Sequence, residues 1–313
     1  MRSIALFGAA VLLGSCAGTG VRVDPTPRAP GAATTAPATL PPSTVAAPPS
    51  TSSPPDRFVV GGARPVTVLT PGGASTPRGL LVVLHGYGGN AADVIARDLF
   101  IREGLARNLV LAFPEGTVDS RGRRFWNATG ACCNFDGTAV DDVAYLLQVI
   151  DEIATRTPID AARVSLFGHS NGHFMAYRLA CEHPERVAVV AGLAGAGSSC
   201  APATPVHVLH VHGTADTVIS YRGGRFAAEY PGAEATVRAW AVADGCGRDP
   251  SPAPGLPLDA TGDLDGPDTI RLAWPCPAGR TVELWRIDGG DHGPELTGAF
   301  VATLVETIAG LRR

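Results

Sequence analysis

Between residues 164 and 180 the chain reads VSLFGHSNGHFMAYRLA. An apolar run halts at Gly168-His169-Ser170-Asn171-Gly172, and a helical pattern begins at once. Glycines two residues either side let two backbones approach where side chains would clash, leaving the Ser170 hydroxyl exposed at the apex of a tight turn. A serine hydroxyl is a weak nucleophile until a base takes its proton, and the base needs a carboxylate to orient it. Downstream, VLHVHGTADTVIS offers Asp216 in a turn, and DGGDHGP offers His292 in a glycine-rich loop. Each follows an apolar run, in the order serine, acid, histidine. That pattern points to acyl transfer through a covalent serine intermediate.

The other histidines fit the base role less well. His207 and His210 lie inside an apolar run, His85 and His212 precede glycines where runs end, and His183 falls at the far end of a helix. His169 and His173 flank the serine and are expected to line a substrate pocket, together with Trp126 from a loop over the same edge. An oxyanion needs fixed N–H donors, each worth about 3 kcal/mol of barrier. The Asn171 N–H, at a helix start, is one candidate. The second is expected from HGYGG, where Tyr87 N–H is preferred over its neighbour at Gly88.

Six elements must position these groups. The runs at 80–84, 109–113, 163–167, 187–191, 206–212 and 282–287 are dense in Val, Leu and Ile without alternation, as buried parallel strands are. Residues 141–154 place Val143, Leu146, Leu147, Ile150 and Ile153 on one helical stripe, and residues 298–311 repeat this with Phe300, Leu304 and Ile308. Strand–helix alternation predicts an α/β fold with a mostly parallel central sheet and helices on both faces. An antiparallel edge hairpin is expected within 58–69. Ligands of such sheets bind beyond the carboxyl ends of the strands, where all the candidate residues fall.

The chain has 313 residues, 45% apolar and 17% charged, enough for a sizeable core. A net charge of −4, with every basic residue an arginine, argues against nucleic acid as a partner. Arg2, the apolar stretch 4–13 and Leu13-Gly14-Ser15-Cys16 form a secretory signal over residues 1–15 with a lipobox-like end. Cys16 would be lipidated and anchor an exported cell-envelope protein to the membrane. Residues 16–56, rich in Pro, Ala and Thr, read as an extended tether, and the catalytic domain as 57–313. A monomer is expected. The remaining six cysteines suggest disulfides. Cys246 and Cys276, 30 residues apart, flank a Pro/Gly-rich excursion and are expected to pair. Cys132 or Cys133 is expected to reach Cys200, with a bond to Cys181 less favoured. No cofactor and no metal site are expected.

LHGYGG, FPEGT, FWNATGACC, VDDVAYLLQVID, RVSLFGHSNG, HGTAD and GGDH, in this order, resemble the secreted polyhydroxybutyrate depolymerase/feruloyl esterase family. The resemblance spans about residues 57–313. It implies an α/β-hydrolase fold, with Ser170 as nucleophile, Asp216 as acid, His292 as base, and oxyanion donors at Tyr87 and Asn171. It implies an ester substrate, such as a hydroxybutyrate oligomer or a feruloyl or acetyl ester. Two positions depart from the family pattern. His173 stands where a second glycine is usual, and Gly293-Pro294 follows His292 where the pattern runs His-x-Trp-Pro. Both departures bear on the substrate pocket. A non-catalytic binding lipoprotein is the alternative, and it would require a broken triad or a missing oxyanion loop.

Overall fold

The computed structural model describes residues 55–313, except positions 74, 75, 198, 199, 201, 256 and 278. The signal segment, Cys16 and nearly all of the tether lie outside the described residues.

Among these, ten strands form one sheet. In chain order they are β1 (Asp56–Val60), β2 (Val66–Thr70), β3 (Arg78–Leu84), β4 (Val110–Phe113) and β5 (Ile159–His169). Then come β6 (Val189–Leu193), β7 (His207–Gly213), β8 (Ser251–Pro252), β9 (Thr269–Ala273) and β10 (Val282–Ile287). Their spatial order is β1-β2-β4-β3-β5-β6-β7-β10-β9-β8. From β4 to β10 every neighbouring pair is parallel. The β1–β2 hairpin expected near 58–69 adds an antiparallel edge, and β9 with β8 forms the other.

The strands lack alternation because both faces are covered. Along β3, Leu80, Val82 and Leu84 belong to one core, and Leu81 and Val83 to the other. The first core packs under α3 (Asp142–Arg156), α4 (Asn171–Glu182) and α5 (Ala233–Ala243). The second lies under α6 (Gly298–Gly310), with α1 (Ala91–Ala96) and the half-buried apolar face of α2 (Leu99–Ala106) beside it. Asp141 caps α3 by accepting from Ala144 N–H. Asp142 is fully buried there and pairs with Arg64 at 2.6 Å, so this acidic pair serves the helix start.

Cys246 and Cys276 are bonded. The other pairing differs from expectation, because Cys181 joins Cys200 and Cys132 joins its neighbour Cys133. The reason is the course of the chain. After β6 it must return to the amino-terminal end of the strands to begin β7 in parallel beside it, and Cys200 lies on that connection. Cys181 sits at the end of α4, which runs down from the serine turn, so the two Cα atoms come within 6.0 Å.

Candidate active site

Ser170 holds φ +52° and ψ −120°, a conformation that non-glycine residues adopt only under constraint. The constraint is close packing on both sides. A Cβ on Gly168 would stand 2.2 Å from the Gly172 carbonyl carbon, and one on Gly172 would stand 2.4 Å from Leu84 O. Only glycine lets α4 start directly above β5 and against the end of β3. Ser170 N–H donates to Leu193 O at 2.8 Å, pinning the turn to the end of β6.

His292 comes from the loop after β10. Its Nε2 is 3.0 Å from Ser170 Oγ, and its Nδ1 is 2.8 Å from Asp216 Oδ2. Asp216, in the loop after β7, is also fixed through Oδ1, which accepts from Val218 and Ile219 N–H at 2.8 and 2.9 Å. Burial alone would raise its pKa, but the neighbouring His212 and His292 rings prevail and hold the carboxyl well below its usual range. The loops carrying Asp216 and His292 are tied together. Thr214 N–H donates to Ile287 O and Ala215 N–H to Gly290 O, both at 2.9 Å. A Cβ on Gly213 would lie 2.1 Å from Gly290 O, so the contact requires glycine there.

Of the N–H groups in the loop after β3, those of Gly88 and Gly89 are engaged, by Arg124 O at 2.8 Å and Gly86 O at 3.1 Å. The N–H groups of Tyr87 and Asn171 have no acceptor among the described residues. The first belongs to the loop whose Gly86 packs on Ser170, and the second follows Ser170 directly. The Tyr87 side chain is braced, its hydroxyl donating to Asp119 at 2.7 Å and its ring lying under the Arg123 guanidinium.

The expected pocket residues divide. Trp126 and His173 are fully buried, so neither faces a substrate. Trp126 instead donates through Nε1 to His85 O at 2.9 Å, and its main-chain N–H and C=O pair with Oδ1 and Nδ2 of the Asn171 side chain, which holds its loop in place. The His173 ring lies in a space left by Gly192 and Gly195, stacked on Tyr177. Burial drives its pKa well below the usual value, so it is neutral. His169 does line a cavity of about 690 Å³. Gly86 and Gly293 line it beside His169, and Phe100, Leu296 and Val301 are among its apolar lining. Sequence reasoning missed this recess because α1, α2 and the loop after His292 build it jointly. It also passed over His212, whose Nε2 lies 3.3 Å from Asp216 Oδ2, although the four-residue spacing in HGTAD was visible.

No family model matches the chain. Over 160 residues it is 32% identical to "Putative esterase NocK" of Nocardia uniformis subsp. tsuyamanensis, covering 49% of this chain and 45% of that protein. It is 27% identical over 227 residues to feruloyl esterase B of Piromyces equi, covering 68% of this chain and 39% of that one. The matched stretch therefore spans less than half the length of either relative. An acetyl xylan esterase structure from Aspergillus awamori superposes with a TM-score of 0.55 at 13% identity, covering 82% of this chain and 100% of that one. Likeness at that identity speaks for the fold, and the chain has the α/β-hydrolase fold.

Proposed function

We propose that this chain is a serine esterase that hydrolyses carboxylic esters through an acyl-enzyme. The observation that carries the reading is the unbroken line from Ser170 Oγ through the His292 ring to the buried Asp216 carboxylate. Asp216 accepts from Nδ1, so Nε2 is left as the base facing the serine. As Oγ attacks the ester carbonyl carbon, its proton passes to Nε2. Asp216 holds the ring in place and stabilises the imidazolium. The charge developing on the carbonyl oxygen would be met by the N–H groups of Tyr87 and Asn171. Collapse of the tetrahedral intermediate returns the Nε2 proton to the leaving alcohol. Water then attacks the acyl-serine by the same route and releases the acid.

We assign one arm of the ester to the apolar cavity beside His169, whose lining includes Gly86 and Gly293, the chain neighbours of Tyr87 and His292. Its size suits a short hydroxyalkanoate oligomer or an aromatic acyl group such as feruloyl, with acetyl esters occupying it only in part. The relatives named as esterases support the same chemistry. We further propose that the enzyme is exported and held at the cell envelope by a lipid on Cys16, acting as a monomer at the end of the 16–56 tether. The lipobox-like segment supports the anchor. The test is a hydrolysis series on p-nitrophenyl acetate, butyrate and octanoate, methyl ferulate and 3-hydroxybutyrate oligomers. Rates should rise from acetate to the esters that fill the recess. No hydrolysis of any of them by the folded protein would contradict the proposal.

A further inference from the structure

Behind the Asp216 carboxylate runs a line of buried side chains that the triad does not use. His210 and His212 project from the same face of β7, their rings nearly parallel with centroids 5.3 Å apart. His212 Nε2 lies 3.3 Å from Asp216 Oδ2 and 2.8 Å from Ile219 O. Its Nδ1 lies 3.1 Å from His210 Nε2, and His210 Nδ1 lies 2.9 Å from the Tyr177 hydroxyl. All three side chains are buried.

The acceptors at one end set the direction of the whole line. Ile219 O and the ionised Asp216 can only accept, so His212 Nε2 carries a proton. In a neutral ring Nδ1 is then an acceptor, which places a proton on His210 Nε2. His210 Nδ1 must in turn accept, and the Tyr177 O–H supplies the donor. Burial keeps His210 neutral and the tyrosine protonated, consistent with that order. The neighbouring rings are His173, stacked on Tyr177 and 4.8 Å from His210, and Tyr221, edge-on to His212.

We propose that His212 is a positioning residue for the triad: as the Nε2–H tautomer it donates to Ile219 O and holds the positive end of that N–H dipole 3.3 Å from Asp216 Oδ2, and His210 with Tyr177 locks that tautomer. This rests on the serine-esterase reading. Oδ2 is paired with His292 Nδ1 at 2.8 Å and lies 3.3 Å from the His212 Nε2–H. Removing His212 leaves more of the carboxylate charge to His292, so the imidazolium holds its proton more tightly. The acid limb of the kcat/KM–pH profile then moves to higher pH.

Two measurements test this. Nitrogen-15 NMR of histidine-labelled protein should report His212 as the Nε2–H tautomer, and the Nδ1–H tautomer would overturn the proposal without reference to activity. In parallel, pH profiles on p-nitrophenyl butyrate are compared for wild type, His212→Phe, His212→Gln and Tyr177→Phe. His212→Phe should lower kcat on the order of tenfold at similar KM and shift the acid limb up by roughly half a unit. The glutamine amide places an N–H near the lost Nε2–H and should restore most of both. Tyr177→Phe, nearly isosteric, should shift the limb the same way by less. An unmoved limb in folded His212→Phe, or glutamine no better than phenylalanine, would overturn the proposal. Where His212→Phe does not fold, Tyr177→Phe and the tautomer decide. A wild type inactive on every ester would instead sink the esterase reading, with the tautomer still deciding the relay.

Discussion

His169 Nε2 donates to the main-chain oxygen of His292 at 2.9 Å, so the residue before the serine grips the residue that would serve as its base. The two rings lie 5.0 Å apart. Burial pushes the His169 pKa down to about 4, so above that range the ring is neutral and its proton stays on the nitrogen facing the carbonyl. His169→Leu removes the donor and strands a carbonyl, costing about 1–3 kcal/mol of stability. It should lower kcat on the order of tenfold through misplacement of His292. His169→Gln should lose less, and equal rates for the two variants would show that the hydrogen bond does not position the loop.

Gly172 leaves no space for a side chain. A methyl group there would meet Leu84 O at 2.4 Å and His85 O at 2.6 Å, both main-chain atoms that cannot step aside. Gly172→Ala is expected to separate α4 from β3, destabilise the protein by several kcal/mol, and abolish hydrolysis. Thermal melting checks this, and a variant with an unchanged melting temperature would contradict the close approach.

The elbow was legible in the sequence because its demands are local: two glycines, an apolar run before, a helical pattern after. The strands were legible for a similar reason, since burial on both faces removes the polar alternation. What stayed hidden depends on where the chain travels. Trp126 was expected over the cleft, but it is buried, its main chain held by the side-chain carboxamide of Asn171. His173 points into the space that Gly192 and Gly195 vacate, two positions far from it in sequence. The Cys181–Cys200 bond follows from the descent of the chain after β6, which no spacing rule encodes.

Asp244 ends α5 with its side chain buried, and Val206 N–H reaches its Oδ1 at 3.4 Å. Burial pushes its pKa up to about 6. A carboxyl whose folded pKa is raised favours the native state most at pH values below its unfolded pKa. That advantage is lost as pH rises through about 6. Asp244→Asn should therefore be more stable than wild type by about 1–2 kcal/mol at pH 8, after discounting for solvent screening. The difference should vanish near pH 4. Denaturant titrations at the two pH values check this, and a gap of equal size at both would contradict it.

The three disulfides should contribute unequally. Cys181–Cys200 and Cys246–Cys276 close loops with sequence separations of 19 and 30, worth about 3–4 kcal/mol each in the chain-entropy account. Cys132–Cys133 joins adjacent residues and restrains almost no chain. Replacing either long-range pair by alanine should lower the melting temperature by many degrees, whereas replacing both Cys132 and Cys133 should lower it far less. The reverse ranking would contradict this assignment.

The most direct test of the central claim is fluorophosphonate labelling of the purified protein, read by peptide mass spectrometry beside Ser170→Ala and His292→Ala. A single adduct on Ser170 is expected, absent in the serine variant and strongly slowed in the histidine variant, with ester hydrolysis lost in parallel. Folded protein that takes no label, or takes it at another serine with hydrolysis intact in Ser170→Ala, would contradict it and return the chain to a binding role or to a different nucleophile.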